Sequence, residues 1–326
     1  MSIFLRHRIA LLLHVGLALA AASSAQAQSI TCNASMSALT FASVDPLSSQ
    51  TDATATLTYT CTNSANAARA ATLCFSIGEP GGAQTNPRLM SDGAGHTLQF
   101  QLYQDAAHST VWGSSFFGTF LTPYQVDVSV AKNTSTGTLS HTMYGRVVAA
   151  QTGVVPGAYQ DIYVNGDTAL TINQNNNNTA PGTCSATNTD YFPFNVTATV
   201  AKNCTVSATT LDFGTPAGFL TANVDVTSTI TTQCTSTTPY QIGLNNGANA
   251  SGTVRRMAGG TAEFIAYELY RNSARSTRWG NTVGVDTVAA TGNGNALATT
   301  VYGRVAPQAT PSPGSYSDTI TVSVTY

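Results

Sequence analysis

The sequence predicts an all-β fold of two sandwich domains, and three observations carry that expectation. Apolar and polar residues alternate with period two, as in Leu98, Phe100 and Leu102 or Ile320, Val322 and Val324, which is the pattern of half-buried strands. Turn signals separate these runs: Glu79-Pro80-Gly81-Gly82, Asn245-Asn246-Gly247 and Gly292-Asn293-Gly294. The chain also repeats itself. Leu102-Tyr103 with Trp112-Gly113 returns 167 residues later as Leu269-Tyr270 with Trp279-Gly280. Tyr144-Gly145-Arg146 returns as Tyr302-Gly303-Arg304, and Gly157-Ala158-Tyr159-Gln160-Asp161 as Gly314-Ser315-Tyr316-Ser317-Asp318. A period this long means two copies of one domain. No convincing amphipathic helix occurs after residue 27.

Residues 1–27 read as an export signal. Arg6 and Arg8 form its basic end, Ile9 to Ala22 its apolar core, and Ala25-Gln26-Ala27 its cleavage site. The core is too short for a stable membrane span, so the mature chain is expected to start at Gln28 and to be secreted through a bacterial periplasm to the cell surface. Thirteen basic residues less these two, against fifteen acidic, leave a net charge of −4. With no basic stripe, no nucleic-acid partner is expected.

Six cysteines in an exported chain point to disulfides. Cys32 and Cys61 are 29 apart, Cys204 and Cys234 are 30 apart, and each first member precedes a Leu-x-Phe at the same offset (Leu39 and Phe41, Leu211 and Phe213). The expected pairs are Cys32–Cys61 and Cys204–Cys234, leaving Cys74–Cys184 in the first copy. Zinc is the competing reading, but no C-x-x-C occurs; no metal or other cofactor is expected.

In the first copy, strands A to F are expected near 30–42, 54–62, 72–78, 97–105, 138–149 and 159–172. In the second they fall near 205–213, 227–235, 240–245, 263–271, 297–306 and 316–325. An immunoglobulin-like sandwich needs a further strand, G, beside F. In the second copy F reaches Tyr326, so G is expected to be missing, leaving an open edge and an apolar groove. Between the copies lies such a strand: Phe192, Phe194, Val196, Ala198 and Val200 alternate with mostly polar residues. It comes after the first copy and is expected to complete it, with a structured linker as the competing reading. Only Gln28 to Thr31 stand between the cleavage site and Cys32, so the mature chain is expected to accept a strand and donate none. The domains are then 28–190, a donor-type strand at 191–203, and 204–326.

The Cys204, Leu211 and Phe213 opening, the Leu269-Tyr270 and Trp279-Gly280 strand, Tyr302-Gly303-Arg304 and the Pro313-to-Tyr326 ending resemble the spore coat protein U-like subunits of archaic (Csu-type) chaperone–usher pili. The resemblance covers essentially the whole mature chain, twice, and the two-domain organisation resembles the tip adhesin. It implies donor-strand complementation of an incomplete second domain, a β-augmentation mode. A periplasmic chaperone would first cover the acceptor strand, with Ile320, Val322, Val324 and Tyr326. An outer-membrane usher and the strand of an adjacent pilus subunit would act next.

If neighbouring strands alternate in direction, the B–C, D–E and F–G loops of the first copy lie far from the second, and A–B, C–D and E–F face it. From Gly113 to Met143 is 30 positions, against 21 from Gly280 to Val301. The longer D–E version holds Phe116, Phe117, Phe120, Leu121 and Tyr124, an apolar candidate for contact with an abiotic or host surface. The competing assignment is that these aromatics extend the first core. A second candidate is sugar recognition by the Asn175-to-Asn178 run with Tyr124; the run reads as a mobile F–G loop, anchored by Cys184. A third is a coat or matrix protein. Val154-Val155, in E–F, is expected to pack between domains. His96, His108 and His141 lie in no catalytic motif, and the repeated Asp161 and Asp318 read as structural; no enzymatic activity is expected.

Overall fold

The computed structural model describes residues 29–80, 85–116, 120–260 and 262–326. The expected export signal, Gly81 and Gly82 of one turn, and Phe117 with Gly118 lie outside the described residues.

Residues 30–200 form one sandwich. Its strands are β1 (Ile30–Met36), β2 (Leu39–Val44), β3 (Thr51–Asn63), β4 (Arg69–Ile77), β5 (Arg88–Ser91), β6 (Thr97–Tyr103) and β7 (Tyr124–Val130). Next come β8 (Thr134–Ser135), β9 (Leu139–Val147), β10 (Gly157–Tyr163), β11 (Thr168–Gln174), β12 (Asn188–Asp190) and β13 (Phe194–Val200). One sheet runs β1-β3-β9-β6-β5-β10-β13-β2, with β8 on β3; the other runs β12-β11-β4-β7. Leu57, Phe75, Phe100, Leu102, Trp112 and Met143 fill the space between them.

The second sandwich repeats this with fewer strands: β14 (Cys204–Ala208), β15 (Val224–Cys234), β16 (Pro239–Leu244), β17 (Arg255–Gly259), β18 (Phe264–Tyr270), β19 (Val288–Thr291), β20 (Ala296–Val305), β21 (Tyr316–Ser317) and β22 (Val322–Thr325). Its sheets are β14-β15-β20-β18-β17-β21 and β19-β16-β22. Its own core includes Ile230, Ile242, Leu244, Leu269, Trp279 and Val301.

The repeated motifs have concrete packing roles. A Cβ on Gly145 would stand 2.4 Å from Leu39 Cδ2 and 3.0 Å from Phe41 Cζ, so the glycine makes room for the Leu-x-Phe strand. Gly303 stands in the same relation to Leu211 and Phe213. The arginine next in sequence closes a two-pronged pair with a carboxylate across the ladder: Arg146 with Asp52, both contacts 2.7 Å, and Arg304 with Asp225, likewise 2.7 Å. Cys32 faces Cys61, and Cys204 faces Cys234, as direct cross-strand partners, and both pairs are disulfide-bonded, as is Cys74 with Cys184.

One shared element carries no visible sequence signal. Arg88 and Arg255 lie 167 residues apart and are both buried. Arg88 donates to the carbonyls of Ile77, Gly78 and Trp112 and to Gln101. Arg255 donates to Leu244, Asn245 and Trp279 carbonyls and pairs with Glu268. Each guanidinium thus satisfies loop carbonyls that the apolar core strands from water.

Strand F differs from the single run expected. In each copy it divides: β10 joins the larger sheet and β11 the smaller, as β21 and β22 do. The D–E region, read from sequence as loop, contains β7, paired with β4 from Phe75↔Tyr124 to Arg69↔Val130.

Candidate functional site

In the first domain β13 is sandwiched between two strands. It runs antiparallel to β10, from Gly157↔Val200 to Tyr163↔Phe194, and parallel to β2, with Val196 opposite Leu39 and Val200 opposite Val44. Phe194, Val196, Ala198 and Val200 point inward and are buried, and Phe192 packs edge-on against Phe75 at 5.9 Å. Asn195 and Thr199 face water. Strict alternation supplies an apolar face for the core and a polar face outside.

The second domain frames the same slot without filling it. Leu211 and Phe213 correspond to Leu39 and Phe41, yet they lie outside any strand and remain half-buried. On the other side, within 314–320 only Tyr316–Ser317 is paired, and that pairing is to β17. Between these rims run two adjoining cavities of about 460 and 600 Å³, both bordered by Leu211, Phe213, Met257 and Tyr316. The floor is apolar: Ile230, Leu244, Leu269 and Val301. Leu39 and Phe41, at 0% and 1% exposed, show what occupying such a slot does to its rim.

The repeated aspartate sits at the slot in both copies. Asp318 accepts from the Tyr267 hydroxyl at 2.7 Å and from Asn249 N at 3.1 Å. Burial, then the hydrogen bond to Asp318, raises the Tyr267 hydroxyl far above its ordinary value. The first copy has Phe100 in place of Tyr267, so that donor is lost. There burial dominates and pushes the Asp161 carboxyl up to about 6.

The acceptor residues divide between two places. Ile320 and Val322 line the groove. Val324 is paired with Ile242 on β16, and Tyr326 beyond it is exposed, its hydroxyl donating to Asn203 at 3.4 Å. The unpaired edge is therefore the upstream half of strand F, because F changes sheets after residue 320.

The expected contact face is rearranged. Ile77 N donates to Gly113 O, and Ser115 N to Ser76 Oγ, so the aromatic D–E segment lies at the C-terminal end of β4. The B–C and F–G loops meet at the opposite end, where Ala70 N donates to Asn177 O. Asn133 N reaches Ala65 O there, joining the turn after β7. Phe116, Phe120 and Leu121 thus sit on the flank of the domain. The end bearing the B–C and F–G loops is polar, because β7 carries the chain there from the flank. Phe116 is 40% and Leu121 69% exposed, while Phe120 is half-buried. Tyr124 is engaged by the core, its ring stacked on His141 at 3.7 Å and tilted against Trp112 at 5.4 Å.

The F–G segment is docked on the sheet: Gly182 N donates to Thr72 Oγ1 at 2.8 Å and Asn173 Nδ2 to Thr183 O at 2.9 Å, beside the Cys74–Cys184 bond. This cover explains why β4 is buried on both faces. Val154 packs on the first core, and the Tyr159 hydroxyl donates to the Val155 carbonyl, while the same E–F loop touches the second domain through Thr152.

A tandem of pilin-type sandwiches, one slot filled from within the chain and one open, is the class defined by this geometry. The Spore Coat Protein U domain model matches residues 18–165 and again 190–323, and the chain belongs to that family. No curated protein is significantly similar in sequence. Among solved structures, the chaperone–tip adhesion subunit pre-assembly complex of the archaic chaperone–usher Csu pili of Acinetobacter baumannii is similar at 17% identity and a TM-score of 0.53. The match covers 91% of this chain and all of that one. The CupB6 tip adhesin from Pseudomonas aeruginosa matches at 12% identity and a TM-score of 0.28, covering 85% of this chain and 86% of that one.

Proposed function

We propose that the chain is the adhesin subunit at the tip of a chaperone–usher pilus, linked to the fibre through its second domain. The observation that carries this is the asymmetry of the two slots. The donor-type strand 192–200 is spent inside the first domain, while the second domain holds an apolar groove of strand width. A subunit with one open socket and its own strand already consumed fits the end of a fibre. The fold shared with a tip subunit captured beside its chaperone supports the reading. A periplasmic chaperone would occupy the groove first; at the outer-membrane usher, an adjacent subunit's strand would replace it. The role is adhesion at the cell surface and in biofilm formation, not catalysis.

The test uses a synthetic peptide of residues 191–203 as a surrogate donor. It should bind the mature chain and raise the melting temperature of the second domain alone. A peptide with Phe194, Val196 and Ala198 replaced by Asp should do neither. No binding by the native peptide, with the second domain folded, would overturn the proposal.

The first domain then carries the surface contact. The apolar reading assigns it to the flank through Phe116, Phe120 and Leu121; removing Phe116 and Leu121 as a pair to Ser should reduce attachment to plastic several-fold. The second reading, sugar recognition, is favoured by the polar character of the far end. There Asn66 and Asn133 bond each other at 3.1 Å and Asn178 bonds Ser129. Inhibition of attachment by free sugars, lost on replacing Asn177 and Asn178 by Ala, would select it.

A further inference from the structure

We infer that the loop carrying Phe219 is a docking surface for the folded body of the subunit whose strand fills the second groove. The inference rests on the donor-strand reading and adds a second contact to it. Phe219 is 81% exposed, the most exposed of the large apolar side chains among the described residues. Its loop is fixed in place. Leu220 N donates to Thr310 Oγ1 at 2.8 Å, Gln308 N to Leu220 O at 3.0 Å and Thr221 N to Phe219 O at 2.9 Å. The A–B loop is thereby clamped on the E–F loop with the ring held out to solvent, where it gains nothing for the isolated domain.

The position of this loop pair identifies its partner. Gly218, Leu220, Thr310 and Pro311 border the lower part of the groove, so a strand lying there leaves beside Phe219. The first domain, whose slot is filled, displays the resulting contacts. Its A–B loop meets the chain just beyond the inserted strand, Asp45 accepting from Asn203 Nδ2 at 2.6 Å. Its E–F loop meets the β19–β20 turn of the next domain, so closely that a Cβ on Gly294 would stand 1.9 Å from Thr152 O. Applied to the second copy, the same arrangement sets its A–B and E–F loops against the turn-bearing end of another sandwich of this type. There Phe219 would be covered.

Two probes separate strand from body. The first is the synthetic 191–203 peptide. The second is a chain of residues 191–326 with a copy of 191–203 appended to close its own groove, checked for cooperative unfolding. It presents the same leading strand ahead of a folded domain. Against the mature chain, the second probe should bind about tenfold or more tightly than the peptide, the scale of one buried aromatic. Phe219→Asp should abolish that excess and leave peptide affinity unchanged. Equal binding of the two probes, or an excess that survives Phe219→Asp, would overturn the inference while leaving the donor-strand reading intact. Equal loss for both probes would make Phe219 part of the groove, also overturning it. If neither probe binds the wild-type chain, the donor-strand reading fails and the inference falls with it.

Discussion

Asp161 and Asp318 occupy one repeated position and differ in their tyrosine neighbours. Asp318 is held by the Tyr267 hydroxyl, whereas at Asp161 burial outweighs the neighbouring Tyr163 hydroxyl and raises the carboxyl to about 6. A carboxyl raised above its unfolded value stabilises the fold fully below about pH 4, and that contribution is lost as the pH rises through about 6. Asp161→Asn should therefore flatten the pH dependence of the first domain. Relative to wild type it should gain about 3 kcal/mol at most between pH 4 and pH 8, measured by urea unfolding at the two values. An unchanged slope would contradict the assignment. The glycines give a second test at this scale. Gly145→Val overpacks against Leu39 and Phe41 inside a filled slot and should cost about 1–3 kcal/mol. Gly303→Val should cost less in the isolated chain, because Leu211 and Phe213 border open space, and should weaken donor binding instead. Equal destabilisation of the two domains would argue against the open groove.

At the scale of elements, most strands were legible because period-two alternation and turn residues survive in the sequence. Strand 192–200 was legible for the same reason: five apolar side chains on one face admit few other roles. What was not legible has physical causes. The crossing of F between sheets depends on a bend near Asn165, which leaves the alternation on either side intact. β7 carries alternation in Tyr124, Val126, Val128 and Val130, but the Gly- and Pro-interrupted aromatics before it suggested a long loop. Once β7 is a strand, the aromatic segment is separated from the far end by its length. The buried arginines leave no pattern, since one cationic residue on a short strand looks like a solvated one. Arg255→Met should still destabilise the second domain by about 3–5 kcal/mol, because three buried carbonyls lose their donor while Glu268 keeps Arg278, as a loss of its melting transition shows. The F–G cover makes a prediction of its own. Replacing Cys74 and Cys184 by Ser should speed amide exchange in β4 and leave β16 unchanged, as mass spectrometry of exchanged peptides would show.

Over the whole molecule, duplication produced one scaffold and two states of it. The same Leu-x-Phe strand, Tyr-Gly-Arg strand and Gly-to-Asp segment build a closed slot in one copy and an open one in the other. The difference lies in one inserted strand. Its absence leaves apolar floor residues facing a cavity, a cost that another chain's strand would remove by adding both burial and ladder hydrogen bonds. On the proposed function this gives the molecule a direction, with a socket at the second domain and contact surfaces on the first.

That one slot is closed from within and the other open is measurable by hydrogen–deuterium exchange of the mature chain with and without the 191–203 peptide. Amides of residues 157–163 should be protected throughout, while those of 314–320 should exchange rapidly alone and become protected on adding the peptide. Equal protection of both segments in the chain alone, or continued rapid exchange at 314–320 with peptide in excess, would contradict it.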